Sequence, residues 1–131
     1  MALRLALDQY EFPRLDYGYN VGFRIYDEDE AAFDASGFTG TAKFYKRHSD
    51  KFHFFRDTAR AVSTLGEVST IINDISVTWD TQASGIGHFA FTSTSRPSIT
   101  GYMHVEIQLT TSTAKRSTEL IRVFVTPSDS P

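Results

Sequence analysis

The chain reads as an all-β protein, an antiparallel β-sandwich of seven to eight strands with at most one short helix. Three observations predict this. Apolar residues alternate with polar ones at period two in at least six segments. Serine and threonine supply 28 of the 131 residues, and β-branched and aromatic side chains are frequent, which suits a half-buried pleated surface. Polar turn clusters then separate the alternating segments at short, regular intervals, as in sandwiches and barrels.

Each element follows from its own letters. Leu3, Leu5 and Leu7 alternate, whereas Arg4 and Asp8 cut the run too short for a secretory h-region. Val21, Phe23 and Ile25 form the next apolar face, followed by Phe38, Gly40, Ala42 and Phe44, then by Ile75, Val77 and Trp79. Phe89 and Phe91 share a parity, as do Met103, Val105, Ile107 and Leu109. In the last segment Ile121, Val123 and Val125 take one parity, and Leu120, Arg122 and Phe124 the other. Turns are expected at 27–34, 47–50, 73–74, 80–87, 93–101 and 111–116. The one helical candidate is 56–65, which stops at Gly66. Residues 1–18 read as an N-terminal strand or docking arm, 19–126 as the sandwich, and 127–131 as a polar, proline-broken tail.

Composition narrows the function classes. A chain this long buries roughly two-thirds of its unfolded surface, enough for one self-sufficient core. No run approaches twenty apolar residues, so no membrane partner is expected. The absence of cysteine removes disulfides, thiolate metal sites and cysteine nucleophiles. The net charge of −3 hides a segregation: residues 1–42 carry −5, 43–60 carry +4, and the remainder −2.

Chemistry-bearing candidates are few. The run Asp27, Glu28, Asp29 and Glu30 lacks the spaced ligands and central glycine of a calcium loop, so it reads as a solvated turn that discourages edge pairing. Lys43, Lys46, Arg47 and Lys51 alternate with Phe44, Tyr45 and Phe52, a pattern compatible with single-stranded nucleic acid. A hairpin with buried rings and solvated lysines accounts for the same letters, so nucleic acid is disfavoured. His104 and Glu106 share a strand face, and His88 joins them only if its strand is adjacent. Neither a Gly-x-Ser-x-Gly elbow nor a phosphate-binding glycine loop occurs. No enzyme, cofactor or metal is expected. Trp79, in phase with Ile75 and Val77, is expected in the core.

The segment Val21-Gly22-Phe23-Arg24-Ile25-Tyr26 precedes the acidic turn, and Phe38-Thr39-Gly40-Thr41-Ala42-Lys43-Phe44-Tyr45 follows it. Later come Gly101-Tyr102-Met103-His104-Val105-Glu106-Ile107 and a final strand over 117–125. This order resembles the N-terminal immunoglobulin-like domain of phage upper baseplate proteins and small Ig-like virion proteins, over about residues 19–126. The resemblance implies an immunoglobulin-like sandwich and a non-enzymatic structural role in a virion, with no catalytic residues. The resemblance does not extend to the further helical and receptor-facing parts of the baseplate proteins.

The expected partners are therefore other virion proteins and copies of the chain itself, assembled in a virion after synthesis in the host cytoplasm. Expected contact residues are Tyr10 and Phe12 of the arm, which could add a strand to a neighbour's sheet. Asp27–Glu30 and the basic Lys43, Lys46, Arg47 and Lys51 complete the set, as opposite charges that could meet between copies. The rival reading is a carbohydrate-binding sandwich with Tyr26, Tyr45 or Tyr102 stacking on sugar.

Overall fold

The computed structural model describes residues 3–47 and 68–127, with backbone only for Arg47 and 68–71. Ten strands occur among them: β1 (Arg4–Leu7), β2 (Glu11–Pro13), β3 (Asn20–Tyr26), β4 (Thr39–Arg47), β5 (Val68–Ser76), β6 (Thr78–Thr81), β7 (Ile86–Ala90), β8 (Gly101–Thr110), β9 (Lys115–Ser117) and β10 (Ile121–Thr126). The count exceeds seven to eight because β2 and β9 are three-residue strands too short to alternate visibly. The only helical element described is a 3-10 turn, Gln82–Ser84. The candidate helix 56–65 lies outside the described residues.

One sheet runs β1-β3-β7-β6, and the other β2-β10-β8-β4-β5 with β9 also on β8. Pairing is antiparallel except between β2 and β10. Three ABED-like strands and their edge facing a GFC-type sheet is the immunoglobulin-like arrangement. Leu5, Leu7, Val21, Phe23, Ile25 and Phe89 from the first sheet meet Ala42, Phe44, Met103, Val105, Ile107 and Val123 from the second. Phe44 and Phe91 link the layers, with Phe44 edge-on to Phe89 at 5.6 Å between centroids. Aromatic contacts thus join the two layers of a core that has no cysteine.

Within 1–18, expected as a strand or a docking arm, the described strands pair with their own chain. β1 pairs with β3 of its own chain, and β2 runs parallel to β10. Phe12 is fully buried, edge-on to Phe91 at 5.5 Å, so it is core and offers no surface to a partner. The outward edge of β1 is closed as well. The Leu3 N–H donates to the Ser117 carbonyl, the Leu5 N–H to the Glu119 carboxylate at 3.2 Å, and the Leu7 N–H to the Tyr10 hydroxyl at 3.0 Å. Side chains placed this way block a strand that would otherwise invite pairing.

A second departure concerns 75–79, expected as one strand. β5 ends at Ser76 and β6 starts at Thr78, in the other sheet. Val77 is the crossing residue, its N–H donating to the Gly40 carbonyl at 3.0 Å. Gly40 has no room for a side chain there, since a Cβ would sit 2.6 Å from Val77 Cγ2. Trp79 is half-buried against the core, and its indole N–H donates to the Phe38 carbonyl.

Candidate interaction face

Strand alternation sends one set of side chains from β4, β8 and β10 inward and the other outward. The outward set includes Lys43 and Tyr45 of β4, Tyr102, His104 and Glu106 of β8, and Arg122 and Phe124 of β10. Register places Tyr45 beside His104, Lys43 beside Glu106, and Phe124 beside Tyr102.

Two networks organise this face. On the β4 side, the Tyr45 hydroxyl donates to Glu106 at 2.7 Å, and Lys43 pairs with Asp74 at 2.8 Å. Desolvation and then the Glu106 bond raise the Tyr45 pKa well above that of an ordinary phenol. On the β10 side, the Arg122 guanidinium lies 4.4 Å over the Tyr102 ring, which meets Phe124 edge-on at 5.2 Å. Lys46 donates to the Tyr102 carbonyl at 3.2 Å. Tyr102 nevertheless remains 54% exposed and Tyr10 45%, and both line a depression of about 400 Å³ with Glu11 and Arg122. Exposed tyrosine and arginine held in one geometry can dock against protein with little loss of side-chain entropy.

The expected contact residues fare differently. Tyr10 is on this face, whereas Phe12 is beneath it in the core. Lys43 is already paired with Asp74, and Lys46 is bonded to backbone. The Arg47 side chain and all of Lys51 lie outside the described residues. The acidic run is an ordered turn following β3. Asp27 Oδ1 accepts the N–H groups of Asp29 and Ala31 at 2.9 and 3.0 Å, and Glu30 pairs with Arg4 at 3.1 Å. Glu28 and Asp29 are exposed at its tip. Nearby, hydrogen bonds from the Ser36 side chain and amide hold the Asp34 carboxyl below its usual pKa.

Sequence reasoning nominated neither Arg122 nor Phe124 as a contact residue. Their shared parity was visible, but both parities of β10 carry apolar residues. Only the Val123–Met103 register identifies the inward set. His88 and His104 lie in different sheets, with His88 Nδ1 3.0 Å from Asp80. Among the described residues no three histidine or carboxylate side chains gather as metal ligands. None of the described helical residues forms a span long and apolar enough to cross a membrane.

No family model matches the chain, and no curated protein matches it. A solved structure similar in shape is the crystal structure of the Lin-41 filamin domain, at 14% identity and a TM-score of 0.37. The likeness covers 91% of this chain and 93% of that one. The fold assignment rests on the strand order itself.

Proposed function

We propose that the chain is a non-enzymatic structural module of a virion that works through protein–protein contacts, with the outer face of the β2-β10-β8-β4-β5 sheet as one contact surface. The observation that carries the reading is the Tyr102–Arg122–Phe124 cluster: an exposed tyrosine fixed under a guanidinium. Arginine and aromatic residues are the types enriched where protein surfaces meet. The virion setting follows the sequence resemblance.

Mass spectrometry of particles purified from cells carrying this gene tests the setting. A stoichiometric amount of the chain supports it, and absence from particles overturns it. A Tyr102→Ser, Arg122→Ser variant with unchanged thermal midpoint tests the surface. Loss of incorporation supports the face, and incorporation equal to wild type contradicts it.

One observation favours a carbohydrate-binding reading as the second choice. Half-buried Trp79 lines a groove of about 590 Å³ with Phe38, Val77, Thr39, Thr41, Ser76 and Gln82, which puts aromatic and polar side chains side by side. Because Trp79 is the sole tryptophan, saturable fluorescence quenching by an oligosaccharide would support it. A flat titration across a glycan panel would remove it.

A further inference from the structure

The two ends of the sandwich differ in chemistry. At one end, Pro13 of β2 lies opposite Thr126 of β10, Asn20 of β3 opposite Ala90 of β7, and β8 begins at Gly101. The connections 14–19 and 91–100 therefore close the same end. They are tied together: the Leu15 N–H donates to the Pro97 carbonyl at 2.8 Å, and Arg96 donates to the Leu15 carbonyl at 3.0 Å. On this frame Leu15, Tyr17 and Ile99 are 37%, 52% and 49% exposed, and the Arg96 guanidinium covers the Tyr17 ring at 5.1 Å. No described carboxylate lies within salt-bridge distance of Arg96.

Leu15 sharpens the case. Its φ of 72° is a left-handed conformation that glycine or asparagine adopts far more readily than leucine. Backbone geometry alone does not call for leucine here. What leucine adds is an exposed apolar side chain beside Tyr17 and Ile99, and strain of this kind is characteristic of binding positions.

The opposite end, where β3 finishes at Tyr26, presents Glu28 and Asp29 on a turn already fixed by the Asp27 carboxylate. Neither has a described cation partner. We propose that copies of the chain stack head to tail: Glu28 and Asp29 of one copy seat against Arg96 and the Leu15–Tyr17–Ile99 patch of the next. The inference deepens the assembly reading by naming a second copy as the partner. A contact between two different surfaces is heterologous, so it propagates into a ring or an open column instead of stopping at a dimer. On the receiving end Arg14 and Arg96 outnumber the exposed Asp16, so the net opposite charges orient the approach, and the two preformed loops limit the ordering cost.

Sedimentation velocity of the full chain over rising concentration tests this. The sedimentation coefficient is expected to grow past the dimer value, and the growth to shrink at high salt. Leu15→Gly removes the receiving side chain at a position where glycine is at ease, so folding persists while association weakens at least about tenfold. Glu28→Lys with Asp29→Lys weakens it similarly from the other end. Each variant keeps one intact end, so their mixture is expected to form a dimer at concentrations where either variant alone stays mostly monomeric. Persistent monomer, variants that associate like wild type, or a mixture that stays monomeric would each overturn the head-to-tail contact. A chain that is monomeric in solution yet present in particles would sink the self-contact while leaving the assembly reading intact. Self-association by a chain absent from particles would do the reverse.

Discussion

The loop after β2 and the turn after β3 use the same backbone device for opposite purposes. Each contains one non-glycine residue at positive φ, Leu15 at 72° and Glu30 at 67°. At Glu30 the side chain is engaged by Arg4, and the turn is held by its own hydrogen bonds from Asp27 to Ala31. At Leu15 only the backbone is held, by Pro97 and Arg96, while the side chain faces outward with Tyr17. The strained position that carries a charge has an internal partner; the one that carries a leucine has none for its side chain among the described residues, and the proposed contact with a second copy would supply it. The comparison teaches that the two ends differ in balance: the carboxylate turn shares its end with the exposed Lys115 and Arg116, whereas the apolar patch carries Arg96 with the exposed Asp16 between Leu15 and Tyr17.

Perturbing what supports each end separates rigidity from chemistry. The largest expected effect is Phe12→Ala, which opens a cavity beside Phe91 under the Leu15 end. Denaturant unfolding is expected to register a loss of about 3–5 kcal/mol. A loss below about 1 kcal/mol would show that this end is not anchored through Phe12. Next comes Gly85→Ala under the acidic end. Gly85 has φ 68°, and a Cβ there would lie 2.7 Å from the Phe33 carbonyl and 2.9 Å from that of Ile25. The expected cost is roughly 2–3 kcal/mol in the same assay, and an unchanged midpoint would mean that the turn moves freely.

A smaller effect appears on titration. Tyr19, beside Phe91, buries its hydroxyl without a hydrogen-bond partner among the described residues, and desolvation with a contribution from Asp16 raises its pKa to about 12. Between about 10 and about 12 the unfolded chain has lost this proton and the folded chain retains it. Stability must therefore fall as pH rises through that window, and the term is absent below it. Solvent screening limits the loss to about 1 kcal/mol. Tyr19→Phe should flatten that part of the stability–pH curve and be neutral or slightly stabilising at pH 7; an unaltered alkaline slope would contradict the assignment. Smallest is Leu15→Gly on folding itself: relief of the left-handed strain against the entropy of glycine leaves a net gain of at most about 1 kcal/mol. A clear loss of stability would mean that the leucine side chain serves the fold.

Much of the fold was legible because β3, β4, β7 and β8 each bury one face, so alternation marks both the strand and its inward side. Val77 was not legible, because the alternation Ile75–Val77–Trp79 continues while the backbone changes sheets. Phe12 was misread as an exposed arm residue, since β2 is only three residues long and its burial depends on parallel pairing with β10 at the far end of the chain. The acidic turn was recognised from composition, but its order comes from a single aspartate accepting two amide hydrogens. The Tyr102–Arg122–Phe124 cluster and the Leu15–Tyr17–Ile99 patch both join residues distant in sequence, and no local pattern announces either.

Zero-length carbodiimide coupling between copies tests the opposition of ends most directly. Lys46, bonded to the Tyr102 carbonyl near the start of β8, is the described lysine on the Leu15 side of the sandwich. In an equal mixture of nitrogen-14 and nitrogen-15 chains, mixed-isotope cross-links from Lys46 to Glu28 or Asp29 are the predicted result. Mixed-isotope links that join like end to like end, or no mixed link at concentrations where the chain associates, would contradict it.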